Sequence, residues 1–217
     1  MRCGWCHSPH SQPGDNPAAQ CFELSPAELF GKLYAELRLL KDIGGLTVSG
    51  GEPMLQYREL RALLLLCKEK GVHTAVETAG CVPPAYFDEL NDNVDYWLFG
   101  LKQLDPQLSK EMHADINIII NNFERLAAKH PHKITVRTPV IHQYTADLQN
   151  IMKISVLMKK NGVKQIELLA YNPYTPHYYD VYGIPFDQQK YSAVRDDEAA
   201  QILNIFSSNG INVKYIE

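Results

Sequence analysis

The sequence has no long hydrophobic run. Its longest clearly apolar stretch, Ala62 to Cys67, is far short of the about 20 residues needed to cross a bilayer. Arg2 and Cys3 follow Met1 directly, without an apolar segment between them, so no secretory signal is expected. Positive charge is not in excess. Lys and Arg number 21 against 25 Asp and Glu, a formal net charge of −4, which leaves no footprint for nucleic acid or an anionic membrane surface. Cysteine is scarce and odd in number: Cys3, Cys6, Cys21, Cys67 and Cys81. Such a set excludes a disulfide framework and suits a reducing cytoplasm. Linkers and low-complexity segments are missing too, so residues 1–217 are expected to form a single domain.

What is present is ordinary globular material, with 45% hydrophobic and 21% charged residues, enough for one sizeable core. Residues 8–24 are rich in turn formers and read as a loop. Ser25-Pro26-Ala27-Glu28 is a helix start, with Ser25 as cap and Glu28 completing a capping box. The helix runs to about Asp42. Strands are expected at 46–48, 73–76, 96–101, 134–140, 165–170 and 212–216. Helices fall between them at 56–70, 84–91, 117–129, 147–160 and 196–208. Residues 172–192 read as a long aromatic loop with Tyr174, Tyr178, Tyr179 and Tyr182. Strict alternation of strand and helix implies a parallel sheet with right-handed crossovers, an α/β fold. Alternation alone does not separate an open sheet from a barrel.

The unusual residues collect in two kinds of place. Cys3-Gly4-Trp5-Cys6-His7 carries two thiols that a tight loop can turn to one side. By itself C-x-x-C fits half a zinc site, a redox pair or part of an iron–sulfur site. Gly50-Gly51-Glu52, Glu77-Thr78, Lys102 and Asn172 fall just past the ends of different strands, where parallel α/β folds bind ligands. The two glycines let a ligand approach the backbone closely, and Glu52 adds an acceptor or anchors the loop. Arg137 lies inside a strand, where a charge needs a ligand, a partner charge or water. Cys67, on an apolar helix, is expected in the core. The histidines show no mutual metal spacing.

The cysteine stretch together with Gly50-Gly51-Glu52-Pro53 resembles the radical S-adenosylmethionine superfamily. Leu101-Lys102-Gln103-Leu104-Asp105, Val136-Arg137-Thr138-Pro139-Val140 and Ile166-Glu167-Leu168-Leu169-Ala170-Tyr171-Asn172-Pro173 are similar to its glycyl-radical-enzyme activases, of the pyruvate formate-lyase activating type. The resemblance covers essentially the whole chain. It implies a partial (β/α)6 barrel, open at the side, with the first strand and the first cluster cysteine missing ahead of Met1, an N-terminally truncated domain. It implies a [4Fe–4S] cluster with Cys3 and Cys6 as two of its ligands, and S-adenosylmethionine as cofactor. Trp5 would lie against the adenine and Asn172 near it. Gly50, Gly51 and Glu52 would hold the methionine amino end, Thr78 and Lys102 would line the pocket, and Arg137 would face the carboxylate. Gly100 stands where the pyruvate formate-lyase activases carry an aspartate beside a cation. Cys21 would be a substitute ligand in principle.

The activity so implied is reductive cleavage of S-adenosylmethionine to a 5′-deoxyadenosyl radical, which installs a glycyl radical on a partner enzyme such as pyruvate formate-lyase. The implied setting is an anaerobic cytoplasm, with flavodoxin or ferredoxin as electron donor and no nucleic acid or membrane partner. Two alternatives remain open: a radical enzyme acting on a small molecule, of the 7-carboxy-7-deazaguanine synthase kind, and a non-catalytic fragment deficient in cluster.

Overall fold

The computed structural model describes residues 1–12, 22–40 and 42–217. Cys21 lies outside the described residues, and with it the question of a substitute ligand. Six strands form one sheet in the order of the sequence: β1 (Gly45–Val48), β2 (His73–Thr78), β3 (Tyr96–Gly100), β4 (Ile134–Val140), β5 (Gln165–Ala170) and β6 (Asn212–Ile216). Every neighbouring pair is parallel. The sheet is open, with β1 and β6 at its edges. It is the expected six-stranded α/β architecture, and all six strands follow the cysteine stretch.

The helices are α1 (Pro26–Leu40), α2 (Tyr57–Glu69), α3 (Pro84–Leu90), α4 (Pro106–Glu111), α5 (Ile116–Lys129), α6 (Leu148–Lys160), α7 (Thr175–Val181) and α8 (Asp196–Ser208). Their boundaries have local causes. Ser25 and Glu28 form the expected reciprocal cap of α1, with Ser25 N donating to Glu28 Oε2 at 2.8 Å and Glu28 N to Ser25 Oγ at 3.3 Å. Gly71, at φ +67°, follows α2 in a left-handed conformation that favours glycine. Two helices were not expected. Asp105 accepts from Gln107 N and Leu108 N and so caps α4, a start signal that Asp-Pro carries in plain view. Helix α7 lies in the stretch read as loop, begun by Pro176 near its first turn.

A sequential strand order with crossovers of one hand sends the crossover helices to one face of the sheet. Burial alternates accordingly. Val76, Trp97, Phe99, Val136, Ile166 and Leu168 are enclosed in one core with Leu64, Phe123, Ile154 and Phe206 of the helices. The opposite pleat carries Glu77, Leu98, Arg137 and Glu167, of which only Leu98 is buried. A parallel sheet sandwiched between two helix layers would be apolar on both pleats. The polar residues here mark a face that opens toward the sheet's carboxyl rim. A second, smaller cluster seals α1 on α2 through Phe30, Leu37, Leu63, Cys67 and Val72.

Cys67 is the expected core thiol, with no exposure. Burial pushes its pKa from 9.0 up to about 11. Between those values the native chain keeps a proton that the unfolded chain releases, so its contribution to stability is complete below pH 9 and falls as pH rises toward 11. The slope is about 1.4 kcal/mol per pH unit. Cys67→Ala loses about 1 kcal/mol at neutral pH by truncation. The gap between variant and native chain should then close by about pH 10 and change sign above it, read by urea unfolding at each pH.

Candidate functional site

The cysteine loop sits on the carboxyl rim and is held from several directions. Arg2 N donates to Met112 O at the end of α4 (2.8 Å), and Cys6 N turns back to Cys3 O (3.2 Å). The same Cys3 carbonyl accepts from Gln12 Nε2 (2.8 Å) and from the Tyr179 hydroxyl (3.3 Å). Cys3 is buried, Cys6 is half-buried, and both thiols are free. Lys102, just past β3, brings its ammonium 3.9 Å from Cys3 Sγ. The Cys3 thiol, then Cys6, Glu52 and Glu77, raise the Lys102 pKa against the opposing effect of burial, which keeps the ammonium charged beside the sulfurs. Cys81 is used elsewhere, accepting from Asp115 N at 3.4 Å. Among the described residues no group of three or more His, Cys, Asp and Glu could hold a metal ion.

The Gly50-Gly51-Glu52 loop leaves β1 beside that cysteine loop. Its two glycines do different things. Gly50 has φ +119°, and nothing lies within 4 Å of where a Cβ would be, so it supplies the turn and leaves open space. A Cβ on Gly51 would lie 2.9 Å from the Ser11 carbonyl oxygen. The close backbone approach expected for a ligand is, at Gly51, taken by the segment that follows the cysteine loop. Glu52 is an anchor. Its Oε1 accepts from Thr78 Oγ1 (2.8 Å) and Met54 N (3.2 Å), and its Oε2 from Ala79 N (2.8 Å). Burial nevertheless raises its pKa, because desolvation of the carboxylate outweighs these bonds. Thr78 is enclosed in the same knot, its hydroxyl donating to Glu52 and accepting from Gly80 N at 3.0 Å.

The segment 101–105 is a rigid bracket for Lys102. Asn150 Nδ2 donates to Lys102 O (2.9 Å), and Asn150 Oδ1 accepts from Leu104 N (2.9 Å). Thr138 Oγ1 donates to Leu101 O (2.7 Å), and Gln103 Nε2 to Tyr144 O (2.8 Å). Most of that motif is therefore architecture that aims one lysine. Asn150 carries no signal in the sequence, since its partners come from two other segments.

Arg137 is held by two carboxylates. Nε donates to Glu167 Oε2 on the neighbouring strand (2.7 Å), and Nη1 to Glu77 Oε2 (3.0 Å), which also accepts from Ser49 Oγ (2.8 Å). Glu77 belongs to β2, two strands from Arg137. On the strand between, the register partner of Arg137 is Gly100, where a Cβ would meet Thr78 O and Lys102 Cε at 3.3 and 3.5 Å. The sequence names Arg137 inside its strand and Glu77 just past its own, whereas Glu77 lies within β2; Glu167 has no separate signal.

Trp5 packs into an aromatic cluster, edge-on to Tyr144 at 4.8 Å and to Tyr191 at 5.5 Å between ring centroids. Asn172 is a turn former, its Oδ1 accepting from Tyr174 N at 2.9 Å. The rim thus gathers Cys3, Cys6, Gly50, Gly51, Glu52, Thr78, Lys102 and, through Glu77, Arg137 and Ser49. Trp5 lies under the cysteine loop on the side of Tyr144 and Tyr191, and Asn172 follows β5 on the same rim.

Comparison with known proteins gives these residues a context. Residues 1–154 match the model of the radical SAM superfamily. The 4-hydroxyphenylacetate decarboxylase activating enzyme of Clostridioides difficile is 32% identical over 77% of this chain and 54% of its own length. The pyruvate formate-lyase-activating enzyme of Staphylococcus aureus (strain USA300) is 28% identical over 93% of this chain and 82% of its own. A domain of the pyruvate-formate lyase-activating enzyme of Bacteroides vulgatus has the same fold, with TM-score 0.67 at 24% identity over 80% of this chain and 99% of that domain. This chain spans about half the length of the first of these relatives.

Two substitutions test the site's construction. In Glu52→Gln either amide orientation sets an NH2 against a backbone N–H, of Ala79 or of Met54. A loss of about 1–3 kcal/mol is expected from urea unfolding. Arg137→Met strands Glu77 and Glu167 beside each other. The side chains keep 19–31% exposure, so the expected loss of about 2 kcal/mol is below the about 3–5 of a fully enclosed pair. Adding Glu167→Gln should restore part of it.

Proposed function

The chain belongs to the radical SAM superfamily, and from that premise we propose that it is the catalytic domain of a glycyl-radical-enzyme activating enzyme. In this reading residues 1–217 are one domain. It binds a [4Fe–4S] cluster and S-adenosylmethionine, takes an electron from flavodoxin or ferredoxin in an anoxic cytoplasm, and acts on a glycine of a partner enzyme. Relatives named as activating enzymes across most of the chain support it. The observation that carries it is a tertiary one. The segment that follows the thiol pair closes onto the Gly50-Gly51-Glu52 loop, distant in sequence, at Ser11 and Gly51, with the Lys102 ammonium beside Cys3.

The donor set fits the cluster in part. Cys3 and Cys6 would hold two of its irons, both thiols free and Cys3 beside the Lys102 ammonium. When bound, the cluster and S-adenosylmethionine supply one-electron chemistry at a C–H bond. Everything else falls to the protein. Gly50 leaves the loop edge open and Gly51 closes it onto the cysteine segment, while Glu52, tied to Thr78 and Ala79, keeps that loop's polar backbone in place. The methionine end of the cofactor would meet this loop. Lys102 would balance the negative charge of the cluster's thiolates. Arg137, already answered by Glu77 and Glu167, would face the cofactor carboxylate with its remaining guanidinium N–H. Trp5 supports the loop from below, and Asn172 shapes the turn on the adenine side.

A second reading, a fragment without catalytic competence, is favoured by one observation. The described residues bring no third metal ligand to Cys3 and Cys6. Anaerobic iron–sulfur reconstitution of the chain, followed by EPR of the reduced form with and without S-adenosylmethionine, separates the two. A cluster signal that shifts on adding S-adenosylmethionine is expected for the enzyme, and no cluster, or one blind to the cofactor, for the fragment. Cys6→Ala should abolish 5′-deoxyadenosine formation and leave the thermal midpoint within about 2 °C of the native chain, because the half-buried thiol is a small part of the packing. Undiminished 5′-deoxyadenosine formation would remove Cys6 from the cluster.

A further inference from the structure

Residues 174–192 leave the end of β5, cross the cysteine loop and return to α8. The segment is pinned at both ends. Asn172 O accepts from Thr175 N at 3.0 Å, and Ser192 O from His142 N at 3.0 Å. Between the pins it contributes no strand. Its inward residues instead converge on the thiol loop. Tyr179, on the inner face of α7 and 4% exposed, donates its hydroxyl to the Cys3 carbonyl. The Tyr191 ring lies on Gly4, where a Cβ would fall 2.8 Å from its Cε2 and Cζ atoms, and edge-on to Trp5. Phe186 fills the space between the two tyrosines, 4.8 Å from the Tyr179 ring and 5.9 Å from that of Tyr191. Tyr182 meets His10 at 5.0 Å. The carbonyl of one cysteine and the glycine between both are thus gripped by a segment more than 170 residues away.

We propose that residues 174–192 are a strap over the thiol pair, in which Tyr179 and Tyr191 are positioning residues that hold Cys3 against Lys102 and close the loop to solvent. Gly4 is the matching half of the device, since a residue with a side chain there would displace Tyr191. The strap is fastened on the outside by a weak tie. Lys190 Nζ meets Glu111 Oε2 at 2.8 Å and lies over the Tyr144 and Tyr191 rings at 5.7 Å, all at a partly exposed position where an ion pair is worth little. Few enclosed contacts and an exposed fastening place the strap among the segments that open ahead of the whole fold. The device concerns the thiols of the metal-free chain, so it does not depend on the cluster reading.

The test is the rate at which N-ethylmaleimide labels each cysteine of the reduced, metal-free, full chain, assigned by peptide mapping. Cys67, fully enclosed under α1, is the internal reference for global unfolding. Tyr179→Phe removes only the hydroxyl, and Lys190→Ala only the outer tie. Tyr179→Phe should raise the Cys3 rate about fivefold and Lys190→Ala about twofold, while the Cys67 rate stays unchanged. Unchanged Cys3 labelling in both variants overturns the proposal. So does a parallel rise of Cys3 and Cys67 in both, which would make the tyrosine an ordinary part of the core. Should Tyr179→Phe loosen the entire fold, the exposed Lys190→Ala decides alone. The outcome is independent of reconstitution: a chain that never takes up a cluster can still show the strap, and a chain that does can still lack it.

Discussion

A charge brought into the mouth of a parallel sheet must be answered where it stands, because the surrounding protein solvates it worse than water does. That requirement organises the rim of this protein. Arg137 is answered by Glu77 and Glu167, Lys102 by the Cys3 thiol, and Glu52 by Thr78, Ala79 and Met54. Each answer comes from a different segment, so each is also a tie between segments. Glu52 joins the exit of β1 to the exit of β2. Arg137 joins β5 to β2 across β3. Lys102 joins the exit of β3 to the N-terminal loop. The carboxyl ends of five strands, β4 with Arg137 itself included, are thereby bound into one surface by groups that would each be costly alone.

The same ties set what the site can offer a ligand. Charges already paired inside the protein do not collapse onto each other or reorganise when a ligand arrives, which is the physical content of a preorganised site. Glu52 spends its acceptors on Met54, Thr78 and Ala79, and of the two glycines before it only Gly50 is left with open space beside it. Asn150 and Thr138 fix the main chain from which the Lys102 side chain reaches Cys3. The thiol loop has no regular secondary structure of its own. Its shape is imposed by Gln12, Met112, Tyr179 and Tyr191, and Trp5 serves that packing from below. The aromatic segment after β5 is the outer layer of the same arrangement.

The chain alone determined the architecture. Alternating strand and helix periods, the Ser25–Glu28 capping box and the left-handed glycine after α2 are local properties, and local physics does not depend on the rest of the fold. It also determined which residue types reach the rim, because residues just past a strand end can go nowhere else in a parallel sheet. Helices α4 and α7 differ in how far the sequence encodes them. The Asp105-Pro106 start of α4 is a local signal. Helix α7 is short and aromatic, and its inner face is defined only by the loop it covers. What only the tertiary structure decided is who answers whom. The pairing of Arg137 with Glu77 depends on the register of β2, β3 and β4. The role of Gly51 depends on a carbonyl forty residues upstream. The seat of Trp5 depends on two tyrosines far along the chain. Such contacts are made by chain segments remote in sequence, and no spacing of residues along one strand or helix encodes them.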